Sequence, residues 1–241
     1  MTTSRRLPAF SLLLGLAPLA GCATVSPPPS VMALEGASQG PVGATSVTAF
    51  GGAAGGVFIN GALGGGARLA HRVSDTVALG VDGIAGAAVA PSDVSAAPRS
   101  LFAGRLHAQV NPGASRTFAL TFGGGGGGSN NGLSYVTVDA GARISRRWSD
   151  GFFEPYVGGV VALSVPTATP DGATRDAERD RRFLTTVYLG LDGGIVLHPT
   201  ERLDVALDVL IIGGYSASNN PFIVSPTVGL RYAFGGEVGR R

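Results

Sequence analysis

Cys22 is the only cysteine of this 241-residue chain and the residue placed best to do chemistry. A lone cysteine cannot form an internal disulfide, so its thiol is free to react. It follows Arg5, Arg6 and an apolar stretch over residues 7–20. A basic start, a short apolar segment and small residues before a cut are typical of a secretory signal. The stretch is too short to cross about 30 Å of hydrocarbon as a mature helix. The sequence therefore predicts export, with residues 1–21 as signal peptide.

The four residues that end at this cysteine, Leu19-Ala20-Gly21-Cys22, resemble the lipobox of bacterial lipoproteins. The resemblance implies that the Cys22 thiol carries a diacylglycerol, that the chain is cut before it, and that the new N-terminus is acylated. Ala23 rather than Asp follows the cysteine, which in that family points to the outer membrane. The alternative is an ordinary signal cut after Ala23, with Cys22 lost.

Other residue types that support catalysis or metal binding have unsuitable spacing. No metal-ligand spacing links the three histidines, His71, His107 and His198. Asp204 and Asp208 lie four residues apart in a predicted strand, which separates them by ~13 Å. No Asp/His or His/Ser pair is recognisable at the predicted outer rim. We therefore expect no enzyme, no metal and no cofactor.

Two compositionally unusual segments are expected to be loops. The glycine run at 123–128 lacks the Gly-Lys-Ser/Thr sequence and the following helix of a phosphate loop, so we expect a flexible hairpin end. Residues 171–182 hold the densest cluster of charges. A solvated loop is the simpler interpretation of that cluster, and contact with lipopolysaccharide phosphates or a partner is the alternative.

Alternation of apolar and polar residues dominates the remainder of the chain. Leu203, Val205 and Leu207 fall on one face of a strand, for example, and Asp204 and Asp208 on the other. Segments of this kind recur between residues 45 and 235 with turn signals between them. Scattered glycine disfavours helix. The fold class predicted is all-β.

The connections between these segments are alternately short and long, a pattern typical of an up-and-down membrane barrel. Ten antiparallel strands, with eight as the alternative, would fill residues 45–235 and place both chain ends on the short-turn side. Residues 22–44, rich in Pro, Ser, Ala and Gly, would form a disordered tether behind the acylated cysteine. Residues 236–241 would be a short tail.

The last predicted strand resembles the terminal-strand signal of bacterial outer-membrane β-barrels. The matching residues are Thr227, Gly229, Tyr232 and Phe234. With the alternation, this resemblance places residues 45–235 near the small OmpA/OmpX-like barrels and implies recognition by the barrel-assembly machinery. The chain departs from the pattern because Phe234 is not its final residue.

Aromatic residues cluster near the predicted strand ends, as in the girdles of membrane barrels. Those near short turns are Trp148, Phe153, Phe118, Tyr232 and Phe234, and those near long loops are Phe102, Phe183, Tyr215 and Phe222. A soluble β-sandwich, which also uses aromatic residues in its core, is the alternative.

Charged residues lie on the strand faces opposite the apolar stripes. Because a charge on the lipid face is costly, we expect these residues to point into the lumen and pair. They are Arg68, Asp82, Arg105, His107, Asp139, Arg143, Glu154, Asp192, Asp204, Asp208 and Arg231. A lumen filled by its own side chains is predicted, with a narrow water-filled channel as the alternative.

These features predict an outer-membrane barrel with a structural or surface-interaction role. Two alternatives are a small pore for hydrophilic solutes and a periplasmic lipocalin-like lipoprotein that binds an apolar ligand. Outer-membrane lipid, lipopolysaccharide and the barrel-assembly machinery are the expected partners. Nucleic acid is not expected, because the arginines are dispersed and the net charge is only +2. The sequence leaves the oligomeric state open.

Overall fold

The computed structural model describes residues 40–57, 59–88, 100–114, 117–130, 132–148, 151–168, 185–216 and 222–236. The signal peptide, Cys22 and the charged segment 171–182 lie outside these ranges. The described residues form a short 3-10 turn at Pro112–Ala114 and ten strands. The strands are β1 (Ala44–Val57), β2 (Ile59–Arg72), β3 (Val77–Ala88), β4 (Ser100–Val110), β5 (Phe118–Ser129), β6 (Ser134–Ser145), β7 (Phe153–Ala168), β8 (Thr186–Leu197), β9 (Leu203–Tyr215) and β10 (Phe222–Gly235).

Each strand pairs antiparallel with its neighbours in sequence, and β1 pairs with β10 to close a barrel. The closing seam runs from Thr45 opposite Phe234 to Val57 opposite Phe222, so it is paired over nearly the full length of both strands. Closure leaves no sheet edge with free backbone groups. The predicted ten-strand, up-and-down, all-β barrel is confirmed.

The alternation in the sequence becomes an inside and an outside face. On β6, Val136 and Val138 are 49% and 58% exposed, whereas Asp139 and Arg143 are each 7% exposed. Because successive side chains of a strand point to opposite faces, the same division repeats around the barrel. Large apolar residues cover the outer face, and the charged residues of the strands face inward.

The two ends of the barrel differ in their connections. At the end where β1 begins and β10 finishes, here called the turn end, residues 73–76, 111–117, 146–152 and 198–202 join the strands. At the opposite end, the loop end, the longest connections follow Ala88 and Ala168. Two other loop-end connections are short: residue 58 alone separates β1 from β2, and residues 130–133 separate β5 from β6.

Strand β1 begins at Ala44, one residue before the predicted boundary.

The expectation of a flexible hairpin end at the glycine run is wrong. Residues 123–128 lie within β5, where Gly126 pairs with Gly104 on β4 and with Val136 on β6. The reason is steric. A Cβ at Gly123 would lie 2.6 Å from the guanidinium carbon of Arg105, and a Cβ at Gly127 would lie 2.5 Å from the Tyr135 hydroxyl. Because these glycines have no side chains, large side chains of the neighbouring strands can lie against the inner face of β5.

No helix among the described residues has the length and apolar character needed to cross a bilayer.

Candidate functional site: the polar lumen

A row of alternating charges runs along the inner wall of the barrel on β2, β3 and β4. The strand register places Arg68 opposite Asp82, and Asp82 opposite Arg105. Arg68 Nε donates to Asp82 Oδ1 at 2.6 Å, and Arg105 Nη1 donates to Asp82 Oδ2 at 3.1 Å. A single carboxylate is therefore held between two guanidinium groups, a charge-assisted arrangement that is strong where water is excluded.

Arg105 extends this row over the inner face of β5 to β6. Its Nε and Nη2 donate to the two oxygens of Asp139 at 2.8 and 2.5 Å, a bidentate pair. The side chains of Arg105 and Asp139 are 4% and 1% exposed. We call Arg68, Asp82, Arg105 and Asp139 the central Arg–Asp chain. His107 lies beside it, with Nδ1 3.3 Å from Asp82 Oδ2, in a geometry that does not form a hydrogen bond.

A second pair of contacts links β6, β7, β8 and β9. Arg143 Nε donates to Asp192 Oδ2 at 3.0 Å, and its guanidinium carbon lies 5.4 Å from the centre of the Tyr156 ring. The Tyr156 hydroxyl donates to Asp208 Oδ2 at 2.5 Å. A Cβ at Gly194 would lie 2.7 Å from that hydroxyl, so glycine again makes room for an inward aromatic side chain.

The remaining charged residues meet at the turn end. Arg231 donates to Asp204 Oδ2 from Nε at 2.7 Å and lies 2.5 Å from it through Nη2. Glu154 accepts a hydrogen bond from the Ser145 hydroxyl at 2.5 Å. His198 lies between the two carboxylates, 2.6 Å from Asp204 and 3.1 Å from Glu154. We call Ser145, Glu154, His198, Asp204 and Arg231 the turn-end cluster.

Apolar side chains fill the loop-end half of the lumen on β7 to β10. This cluster consists of Val160, Ala162, Tyr188, Ile212 and Ile223. Tyr188 and Ile212 are both 0% exposed, so neither contacts bulk water. The lumen is therefore occupied by side chains both where it is charged and where it is apolar.

All eleven residues predicted for the lumen lie on its inner face, and the structure brings most of them into direct contact. Nine are buried, while His107 and Arg231 are half-buried as whole residues. The contacts described above fall into three groups. Sequence reasoning did not predict His198 as a lumen residue, although the alternation of β8 could have identified it. Asp192, Gly194 and Val196 occupy alternate positions on the inner face of β8, and His198 continues that alternation beyond the end of the strand.

The four residues that resemble the terminal-strand signal alternate between the two faces of β10. Thr227 and Gly229 are buried toward the lumen, whereas Tyr232 and Phe234 are 49% and 44% exposed on the outer surface. The strand therefore places the two aromatic residues on the outside of the barrel. Cys22 lies outside the described residues.

The carboxylates of the lumen are bound by other groups of this chain. Each carboxylate described above is held by an arginine, histidine, serine or tyrosine of this chain. Within the described ranges, no group of three His, Cys, Asp or Glu side chains could hold a metal ion. The charged groups of the lumen pair with one another.

Comparisons with known proteins find similarity among solved structures. No protein-family model and no curated protein matches the sequence. One similar solved structure is Neisserial surface protein A, with 13% identity, a TM-score of 0.40 and coverage of 81% of this chain and 100% of that chain. An outer membrane channel from Pseudomonas putida has 10% identity, a TM-score of 0.46 and coverage of 82% and 97%. The N-terminal β-barrel domain of Pseudomonas aeruginosa OprF has 11% identity, a TM-score of 0.34 and coverage of 80% and 99%.

Proposed function

We propose that this chain is a bacterial outer-membrane β-barrel with a structural or surface-interaction role and a lumen filled by its own side chains. One observation carries the proposal: large apolar side chains cover the outside, while arginines and carboxylates lie inside. Leu106 and Leu191 are 68% and 67% exposed, whereas Arg105 and Asp192 are each 5% exposed. A protein folded in water does the reverse.

The outer surface suits hydrocarbon for a second reason. Exposed aromatic side chains lie toward both ends of the strands: Trp148, Tyr232 and Phe234 at the turn end, and Phe102, Tyr215 and Phe222 at the loop end. Aromatic rings favour the two interfaces of a bilayer, where one part of the ring meets lipid and another meets water. A closed barrel also satisfies its strand backbone groups internally, as a bilayer requires.

The same arrangement argues against a barrel that binds an apolar ligand inside. A lipocalin-like protein turns apolar faces inward and charges outward. Here the central lumen carries the Arg–Asp chain, and the apolar cluster at the loop end is itself tightly packed, with Tyr188 and Ile212 0% exposed. The same burial argues against a wide pore, because side chains that line an aqueous channel remain accessible to water.

We further propose that Cys22 is acylated and that the anchor lies on the same side of the membrane as the turn end. The described chain enters the barrel at the turn end through Ala44. Two or three acyl chains are sufficient for stable anchoring, whereas a single chain is marginal. Lipopolysaccharide contact at the loop end and recognition of β10 by the barrel-assembly machinery complete the proposal.

Fractionation followed by gel electrophoresis tests the membrane assignment. The protein should fractionate with the outer membrane, resist extraction by a high-salt wash, and migrate differently in boiled and unboiled samples. Recovery in the wash would contradict it. Large, stable conductance of the purified protein in planar bilayers would instead overturn the filled lumen while leaving the membrane assignment intact.

Metabolic labelling with palmitate tests the anchor separately. The wild type should incorporate label, and Cys22→Ala should not. Because the barrel carries its own lipid-facing surface, we expect the Cys22→Ala barrel still to reach the outer membrane if it is exported. Equal labelling of both proteins would show that the lipid is not on Cys22.

A further inference from the structure

Each of the two ring nitrogens of His198 lies within hydrogen-bond distance of a carboxylate. Nδ1 lies 2.6 Å from Asp204 Oδ1, and Nε2 lies 3.1 Å from Glu154 Oε2. A neutral imidazole has one N–H and can donate to one of these carboxylates, whereas an imidazolium donates to both. The geometry therefore fits the protonated ring. The side chain is only 6% exposed, so water does not readily replace either partner.

The other groups around His198 are already engaged. The second oxygen of Glu154 accepts from Ser145 of β6, and the second oxygen of Asp204 accepts from Arg231 of β10. Arg147, in the turn between β6 and β7, lies 3.7 Å from Glu154. Burial lowers the pKa of the His198 imidazole, but the hydrogen bonds with Asp204 and Glu154 outweigh burial and the opposing charge of Arg147, and they hold its pKa above the ordinary value.

The two carboxylates belong to strands that are not neighbours. Glu154 is on β7 and Asp204 is on β9, with β8 between them, and His198 directly follows Leu197, the last residue of β8. A protonated His198 therefore ties β7 to β9 beneath the end of β8. This tie lies outside the backbone hydrogen bonds of the sheet, so it can break while the barrel stays closed.

We propose that His198 is a pH-sensitive latch that holds the turn end of the barrel shut when protonated and releases it when neutral. Loss of the ring proton to solvent removes one hydrogen bond from one of the two carboxylates, while Ser145 and Arg231 still donate to the second oxygens of Glu154 and Asp204. Glu154 is 1% exposed and Asp204 is 9% exposed, so a carboxylate that loses this hydrogen bond remains poorly hydrated unless the turn end moves. Residues 198–202 are the segment that would move, and there the backbone N–H of His198 also donates to the Phe152 carbonyl at 2.8 Å.

The sign of the pH dependence follows from the raised pKa of His198. Because the folded protein binds this proton more tightly than the unfolded chain does, the latch contributes its full stability below the ordinary pKa of histidine, about 6.5. That contribution is lost as the pH rises through the higher value of the folded state. An increase in pH should therefore loosen the turn end.

Urea unfolding of the full chain in detergent micelles, from about pH 5 to about pH 9, tests the latch. The wild-type midpoint should fall as the pH rises, and His198→Gln should show a low midpoint without that step. His71→Gln is the matched control, because His71 is an exposed histidine at the same end whose ring contacts the Thr45 hydroxyl. It should follow the wild type. Parallel curves for the wild type and His198→Gln would overturn the proposal.

A second measurement applies even if His198→Gln does not fold. In the wild type, the histidine ring signals followed by NMR should show His198 titrating above free histidine, and backbone amides in residues 198–202 should exchange faster once it has titrated. Titration of His198 at or below the pH of free histidine would contradict the latch. Unchanged amide protection after titration, corrected for intrinsic exchange, would also contradict it. Neither result depends on which membrane holds the barrel.

Discussion

The central Arg–Asp chain and the turn-end cluster both neutralise charge inside the barrel, but they do so with different cations. In the chain, Arg68 and Arg105 are permanently charged, and their side chains and those of Asp82 and Asp139 are all at most 4% exposed. The turn-end cluster depends on a histidine, whose charge changes near neutral pH. Its Arg231 side chain is 14% exposed.

Position along the strands accounts for this difference. The central chain lies mid-strand on β2, β3, β4 and β6, where the barrel wall excludes water on every side. The turn-end cluster lies where β6 ends and β7 and β9 begin, on the adjoining part of β10 and in the turn after β8, and its Asp204 side chain is 12% exposed. A permanent ion pair suits the sealed site, because an uncompensated charge there is expensive. A titratable group can respond only where protons can enter and leave.

Removal of Arg105 should produce the largest effect on stability. Arg105→Leu deprives Asp139 of the guanidinium that holds both its oxygens and takes one of two guanidinium partners from Asp82. An uncompensated buried charge costs about 3–5 kcal/mol. Urea unfolding in micelles should register this loss, while Arg146→Gln, at an exposed turn position, should unfold like the wild type. An unchanged midpoint for Arg105→Leu would show that water reaches the central chain.

A pair of glycine substitutions tests how tightly the inner wall is packed. A Cβ at Gly66 would overlap the carbonyl oxygen of Gly83 and lie 2.7 Å from the Phe50 ring, whereas a Cβ at Gly83 would meet nothing within 4 Å. Gly66→Ala should therefore destabilise the barrel by about 1–3 kcal/mol through overpacking.

Gly83→Ala, on the outer face of the neighbouring strand, is the matched control. It should be neutral or stabilising by up to about 1 kcal/mol, because alanine restricts the unfolded strand more than glycine does. Thermal unfolding of both variants under one set of conditions gives the difference. Equal midpoints would mean that the lumen can accommodate added volume.

Tyr156→Phe should have an intermediate effect. It removes the hydroxyl that donates to Asp208 at 2.5 Å and leaves a buried acceptor without that donor, at a cost of about 1–3 kcal/mol. Tyr215→Phe removes a hydroxyl from a side chain that is 58% exposed at the loop end and should change little. Denaturant unfolding separates the two variants, and equal losses would show that Tyr156 acts through its ring alone.

The smallest effect should come from Arg147, at the rim of the turn-end cluster. Its Nε lies 3.7 Å from Glu154, and its side chain is 34% exposed. Arg147→Gln should cost less than about 1 kcal/mol. At about 1 M salt, where the Debye length is near 3 Å, that cost should disappear, whereas the Arg105→Leu loss should persist. Equal salt dependence of the two variants would show that the central Arg–Asp chain and the rim of the turn-end cluster are equally accessible to water.

Local pattern was sufficient to predict the strands and the residues that share a face. The alternation of Val136, Val138 and Ile144 with Asp139 and Arg143 requires two chemically different faces of β6, whatever lies around it. It failed at the glycine run, because a turn and a strand interior both use glycine. The strand conformation of residues 123–128 depends on Arg105 and Tyr135, which come from neighbouring strands.

Alternation specifies that two faces exist and leaves open which of them is enclosed. That choice is made by the closure of β1 onto β10, a contact between opposite ends of the chain. Contacts between distant parts of the chain also decide which inward residues pair with one another. Arg68 and Asp82 are 14 residues apart across one hairpin, but Tyr156 and Asp208 are 52 apart, and His198 meets Glu154 across 44 residues. Periodicity is a property of neighbours in sequence, whereas these contacts exist because a closed, staggered sheet brings distant strands together around one axis.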